Sequence, residues 1–223
     1  MATEFLREIR GPAGPLEALI DTPSSADTLR AAAVFAHPHQ LHGGTMHTKA
    51  VYQASKALAR IRVPVLRFNF RGVGASAGIF DGGPGEMEDF RAALDFMAGR
   101  YPGVELWAAG FSFGAWIALT VGAEDPRVRL LIGVSPPVDR YDFAAVKQTD
   151  KPTFIIHGEK DELVSLKDVR RFYAELKEPK ELVVIDAADH LFDGKTSEVG
   201  EAVEDLLADY RESAAATSGK EPS

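Results

Sequence analysis

The sequence contains no cysteine. Disulfide staples and thiolate metal centres are therefore excluded, and a reducing cytoplasm is the expected setting. Nor is there an apolar run near the roughly 20 residues needed to span a bilayer. The N-terminal stretch MATEFLREIRG lacks the apolar core of a secretion signal. Basic clusters are missing too. Lys and Arg number 25 against 33 Asp and Glu, a formal net charge of −8. Nucleic acid and anionic membranes demand concentrated positive charge, so neither is expected as a partner. A small neutral molecule is compatible with this composition, which leaves the oligomeric state open.

What the chain does have is alternation. No internal repeat or interior linker breaks it, and at this length the simplest organisation is one domain over residues 1–212. The small, polar residues 213–223 read as a disordered tail. Residues 5–9 and 16–20 read as two antiparallel strands across the turn GPAG. AAAVFA (31–36) is apolar on both faces, as a central parallel strand is. Further strands are expected over 64–70, 104–109, 130–134, 153–156 and 182–185. Apolar residues at helical spacing predict helices over 51–61, 87–97, 113–123, 169–176 and 199–210. Strands alternating with helices predict an α/β fold: a mostly parallel, doubly wound sheet of about eight strands with helices on both faces. Ligands bind such sheets at the carboxyl ends of the strands.

Three polar residues stand at those ends. Ser112 is the centre of GFSFG, between an apolar strand and an apolar helix. A sharp strand-to-helix turn holds its central side chain outward and needs small flanking residues. Serine is also a good helix N-cap, so this position alone does not establish chemistry. A serine hydroxyl becomes a nucleophile only beside a base that is itself oriented by an acid. His190, in IDAADHLF, follows the strand LVVI; Asp161, in FIIHGEKDELV, follows the strand TFII. Asp189 adjoins His190 in sequence and is expected to point elsewhere. Ser112, Asp161 and His190 are therefore the candidate catalytic residues. Asp139 is the alternative orienting acid.

An oxyanion formed during acyl transfer needs backbone donors. The N–H of Phe113, at a helix start, is one candidate. The second is expected from the loop HPHQLHGGT. Pro38 has no N–H, so His39 is favoured, with Gln40 as the alternative. This loop brings His37, His39, His42 and His47 together, but no pair is spaced i, i+4 and no carboxylate lies nearby. No metal site is expected there, and His37 reads as a structural residue bonding loop backbone. RGVGAS carries only a fragment of a dinucleotide fingerprint, so no cofactor is expected.

GFSFG, DELV and DH resemble the nucleophile elbow, acid turn and histidine loop of the α/β-hydrolase superfamily. HPHQLHGGT with RFNFRGVGAS is similar to small bacterial members of the dienelactone-hydrolase-like and serine-aminopeptidase-like groups. The resemblance covers residues 4–212. Dienelactone hydrolases proper use a cysteine nucleophile, which this chain lacks, so their substrate does not carry over. A serine there implies hydrolysis of an ester, thioester or amide through an acyl-enzyme. Many relatives insert a helical lid after the sixth strand; here residues 135–152 leave room for one short helix. A shallow, open site is expected, walled by Leu41, Phe111, Tyr141, Phe143, Leu163, Leu191 and Phe192, with Trp116 expected in the core. Short-chain esters are the favoured substrates. An aminopeptidase would need a carboxylate for the free amine, for which Glu159, Asp139 and Asp142 are candidates. A non-catalytic binding module is the third reading.

Overall fold

The computed structural model describes residues 1–24 and 29–218. One eight-stranded sheet organises them. In chain order the elements are β1 (Ala2–Gly11), β2 (Gly14–Thr22), β3 (Ala32–Ala36), α1 (Lys49–Arg60), β4 (Val65–Phe68), α2 (Pro84–Arg100), β5 (Leu106–Phe111), α3 (Phe113–Glu124), β6 (Val128–Val134), α4 (Ala144–Gln148), β7 (Thr153–Gly158), α5 (Leu166–Glu175), β8 (Lys180–Ile185) and α6 (Thr196–Ser218). Their order across the sheet is β1-β2-β4-β3-β5-β6-β7-β8. β1 and β2 form the expected antiparallel hairpin, and β2 pairs antiparallel with β4. All other pairs are parallel.

Period-two alternation divides the core into two layers. Ala32, Val34 and Ala36 of β3 join Phe90, Leu94 and Met97 of α2 and the inward residues of α3 and α5. Ala33 and Phe35 face the other way, with Val51, Ala54 and Leu58 of α1 and Val199, Val203 and Leu206 of α6. The central strands are apolar on both faces because both faces are covered. Among the described residues, no helix is long and apolar enough to cross a membrane.

Several boundaries differ from the sequence reading. The strand expected to reach residue 70 stops at Phe68, and Asn69 and Phe70 turn out of the sheet to bond neighbouring loops. α2 starts at Pro84, where Glu86 accepts from the Gly83 N–H at 2.7 Å. α6 runs to Ser218, past the point where the tail was expected to begin; residues 219–223 lie outside the described residues.

Beneath α1 lies a buried charge cluster. Asp21, fully buried, accepts from Arg67 Nε at 2.7 Å and from Lys56 Nζ at 2.7 Å. Arg67 also donates to the Met46 carbonyl at 2.6 Å, tying the loop before α1 to the sheet. Burial pushes the Asp21 carboxyl up, but its bonds to Arg67 and Lys56 outweigh this and hold it below the usual carboxylate range. Because the folded value is depressed, this stabilisation is present above the unfolded value near pH 4 and is lost as the pH falls through the folded value. Replacing Asp21 by Ala leaves Arg67 buried without its counter-ion. A loss of about 3–5 kcal/mol is expected in urea denaturation at neutral pH, shrinking as the pH is lowered below about 4.

Candidate active site

The turn between β5 and α3 sets Ser112 apart. Its φ is 54° and ψ −120°, a strained conformation for a residue with a Cβ. The Ser112 N–H donates to Val134 O at 2.8 Å, and its carbonyl accepts from Ala115 N at 2.8 Å as the first turn of α3 closes. The flanking glycines are required by contact. A Cβ on Gly110 would lie 2.2 Å from Gly114 O, and one on Gly114 would lie 2.4 Å from His37 O. These approaches seat the first turn of α3 against the loop that follows β3.

Two further loops reach Ser112. His190 Nε2 lies 2.9 Å from Ser112 Oγ, and His190 Nδ1 lies 2.7 Å from Asp161 Oδ2. The other Asp161 oxygen accepts the N–H groups of Leu163 and Val164, each at 2.9 Å. Burial pushes the Asp161 carboxyl up; the His190 hydrogen bond and charge, with the Val164 N–H, outweigh it and keep the group ionised well below neutral pH. The two loops are also tied directly. Lys160 N donates to Ala188 O at 2.8 Å, Glu159 Oε2 accepts from Ala187 N at 3.0 Å, and Glu162 Oε2 accepts from His190 N at 3.3 Å. Asp189 lies outside this chain, its Oδ1 accepting from Asp193 N at 2.9 Å. Asp139 is on the surface beside Arg140, 3.6 Å away.

On the opposite side is the loop after β3, with a 3-10 turn over Gln40–His42. His37 is buried and bonds backbone, as expected. Its Nδ1 donates to Pro38 O at 2.7 Å and its Nε2 accepts from Phe70 N at 3.1 Å. This pairing specifies the neutral tautomer, and burial pushes the ring down to about 4. The His39 ring packs 5.0 Å from both Phe80 and Phe113. Phe113 occupies the first position of α3, where a backbone N–H has no acceptor within the helix. Among the described residues, no group of three or more His, Asp or Glu could hold a metal ion.

Ser112 and His190 open into a cavity of about 360 Å³, walled by Pro38, His39, Phe113, Pro137, Tyr141, Leu163 and Leu191. Tyr141, Leu163 and Leu191 therefore stand where the sequence suggested, while four other suggested wall residues do not. Phe111 is fully buried, because strand alternation sends it to the α1–α6 face, where it packs under the His190 ring at 5.5 Å. Phe192 (φ 56°) turns inward against Phe111 and is also fully buried. Phe143 packs on Phe172 in the opposite core layer. Leu41 is exposed and lines a neighbouring depression with Gly72 and Ile79. Trp116, expected in the core, is half-buried and stacks on Tyr141 at 4.1 Å. Arg140, Glu162 and His42 also line the cavity; the sequence marks the loop DRYDF that holds Arg140 as a pocket wall, the acid turn DELV that holds Glu162, and His42 within the histidine cluster, without naming them as wall residues.

Comparison with known proteins follows the same outline. Residues 34–147 match the family model for serine aminopeptidase, S33. An uncharacterized protein of Rickettsia prowazekii is 38% identical over 206 residues, covering 88% of this chain and 86% of that one. An α/β serine hydrolase homologue from Coxiella burnetii superposes with a TM-score of 0.87 at 39% identity, covering 93% of this chain and 98% of that one. A lidless α/β serine hydrolase from Xanthomonas campestris gives 0.85 at 34% identity, with 94% and 96% covered.

The contacts at Gly114 carry a direct consequence. Gly114→Ala forces a Cβ into the His37 and Ala36 carbonyls. A stability loss of about 1–3 kcal/mol is expected by urea denaturation; Gly99→Ala, in α2 with open space around the site of its Cβ, serves as the tolerated control.

Proposed function

The chain belongs to the serine aminopeptidase S33 family of α/β serine hydrolases, and on that premise we propose that it hydrolyses small carboxylic esters through an acyl-enzyme on Ser112. The unbroken hydrogen-bonded series Ser112–His190–Asp161 carries this reading. Ser112 Oγ attacks the ester carbonyl while His190 Nε2 takes its proton. The resulting oxyanion is held by the N–H of Phe113 and a second N–H from the loop after β3. His39 supplies it in this proposal, because His39 borders the cavity beside Ser112; Gln40 is the neighbouring alternative. The C–O bond to the alcohol breaks, and His190 returns the proton to the leaving oxygen. Water then repeats the sequence and releases the carboxylic acid. Asp161 stays ionised throughout, fixes the imidazole tautomer and stabilises its cation.

The cavity limits the acyl group. Between β6 and β7 the one helix is α4, from Ala144 to Gln148, and the stretch before it lends Pro137, Arg140 and Tyr141 to the cavity wall. Apolar walls on this scale suit a short chain, and a chain of ten carbons or more would extend into solvent. A peptide substrate is the second reading. The three carboxylates first considered for an amine are engaged elsewhere or lie outside the cavity: Glu159 holds the Ala187 N–H, Asp142 the Ala144 N–H, and Asp139 faces Arg140. Glu162 takes their place as the acid bordering Ser112, which is the observation that favours testing amides.

A fluorophosphonate probe is expected to add one phosphonyl group at Ser112, seen by mass spectrometry, and Ser112→Ala to remove it without unfolding the chain. An unlabelled wild type sinks the proposal. Asp161→Asn is expected to lower kcat by about 10⁴-fold. Activity is expected to fall toward acid pH because a protonated general base cannot accept the serine proton, while the depressed Asp161 carboxyl stays ionised. Nitrophenyl esters of short acids are expected to outrun aminoacyl anilides; the reverse order selects the peptidase reading.

A further inference from the structure

His157 is fully buried at the end of β7, four residues before Asp161, and no step above uses it. Its Nε2 lies 3.0 Å from Val164 O and 3.7 Å from Asp161 Oδ2. Its Nδ1 is buried without a hydrogen-bond partner. A carbonyl can only accept, so Nε2 carries a proton. Burial disfavours the charged form, followed in the opposite sense by Asp161 and the Val164 carbonyl.

Val164 is thereby held at both ends. Its N–H binds Asp161 Oδ1 at 2.9 Å, and its carbonyl binds His157 at 3.0 Å. The turn carrying both backbone donors to Asp161 is thus pinned to the rigid end of β7. Gly158, next in sequence, brings the same strand end against the histidine loop; a Cβ there would lie 2.5 Å from Ala188 O. Asp161 has one oxygen fixed by two N–H groups, so its other oxygen is aimed at His190 only while that turn keeps its place. The same Nε2 lies 3.7 Å from Asp161 Oδ2, so its N–H dipole also faces the carboxylate.

We propose that His157 is a positioning residue that sets the Asp161–His190 hydrogen bond by anchoring the acid turn through Val164. The proposal rests on the serine hydrolase reading above. Around His157 the titratable groups are Asp161 and His190; burial disfavours a charge on the His157 ring, which leaves Asp161 to pair with the His190 cation.

Two isosteric variants separate anchoring from general stability. Gln at 157 places an amide N–H where Nε2 stands, whereas Asn reaches only as far as Nδ1. His157→Gln is expected to keep the fluorophosphonate labelling rate within about threefold of wild type. His157→Asn is expected to lose about tenfold or more in labelling rate and in kcat, with KM unchanged, as displaced catalytic groups do. The low-field proton resonance of His190 Hδ1 is expected to move upfield in His157→Asn and to stay in His157→Gln. Equal behaviour of the two variants, or an unmoved resonance in His157→Asn, overturns the proposal. Should His157→Asn fail to fold, the wild type decides. ¹⁵N spectra at neutral pH are expected to show His157 as the Nε2–H tautomer, and an Nδ1–H tautomer overturns it. The resonance readouts need no turnover. Absence of labelling in the wild type therefore defeats the hydrolase reading, while normal labelling with indifferent variants defeats this inference alone.

Discussion

The carboxyl edge of the sheet depends on how closely α3 approaches the strands beside it. Gly110 and Gly114 let the helix begin against the carbonyls of Ala36 and His37, and Gly122 lets its far end settle on Ala108 of β5. A helix seated this near cannot be entered through an ordinary turn, so the linking residue takes φ 54°. The cost of that conformation, of order 1–3 kcal/mol, is carried by a helix that is buried along most of its length. Strain at Ser112 is thus a by-product of tight packing, and tight packing is what presents its hydroxyl.

Polar side chains then hold three loops around that hydroxyl. Neutral His37 joins the loop after β3 to the one after β4. Asn69 accepts from Met46 N at 2.9 Å and donates to Glu17 at 2.7 Å, binding the same loops to the hairpin. Across the site, Glu159 and Glu162 each accept one backbone N–H of the histidine loop. His37 and Asn69 are buried with their partners, so moving the loop after β3 would strand a buried polar atom, whereas Glu159 and Glu162 bind from the exposed rim.

Much of this was legible in the sequence. Every strand and long helix announced itself through periodicity, and the order β-α-β identified a parallel sheet. Ser112, Asp161 and His190 were readable because each follows a strand, and parallel strands deliver all their ends to one edge. The wall residues were harder. Phe111 and Phe192 adjoin the site in sequence, yet strand alternation and a positive φ turn them into the core. Sequence proximity says how near a backbone lies and leaves open which face its side chain takes.

By itself, then, the sequence determined the layered α/β architecture and the edge at which polar residues gather, since both follow from local periodicity and from glycine placement. Only the tertiary structure decided which side chains share a hydrogen bond, which aromatics border the cavity, and that His157 stands behind Asp161. Those are matters of distance between loops remote in the chain, set by helix seating and sheet order to fractions of an ångström, and no local pattern of residues encodes them.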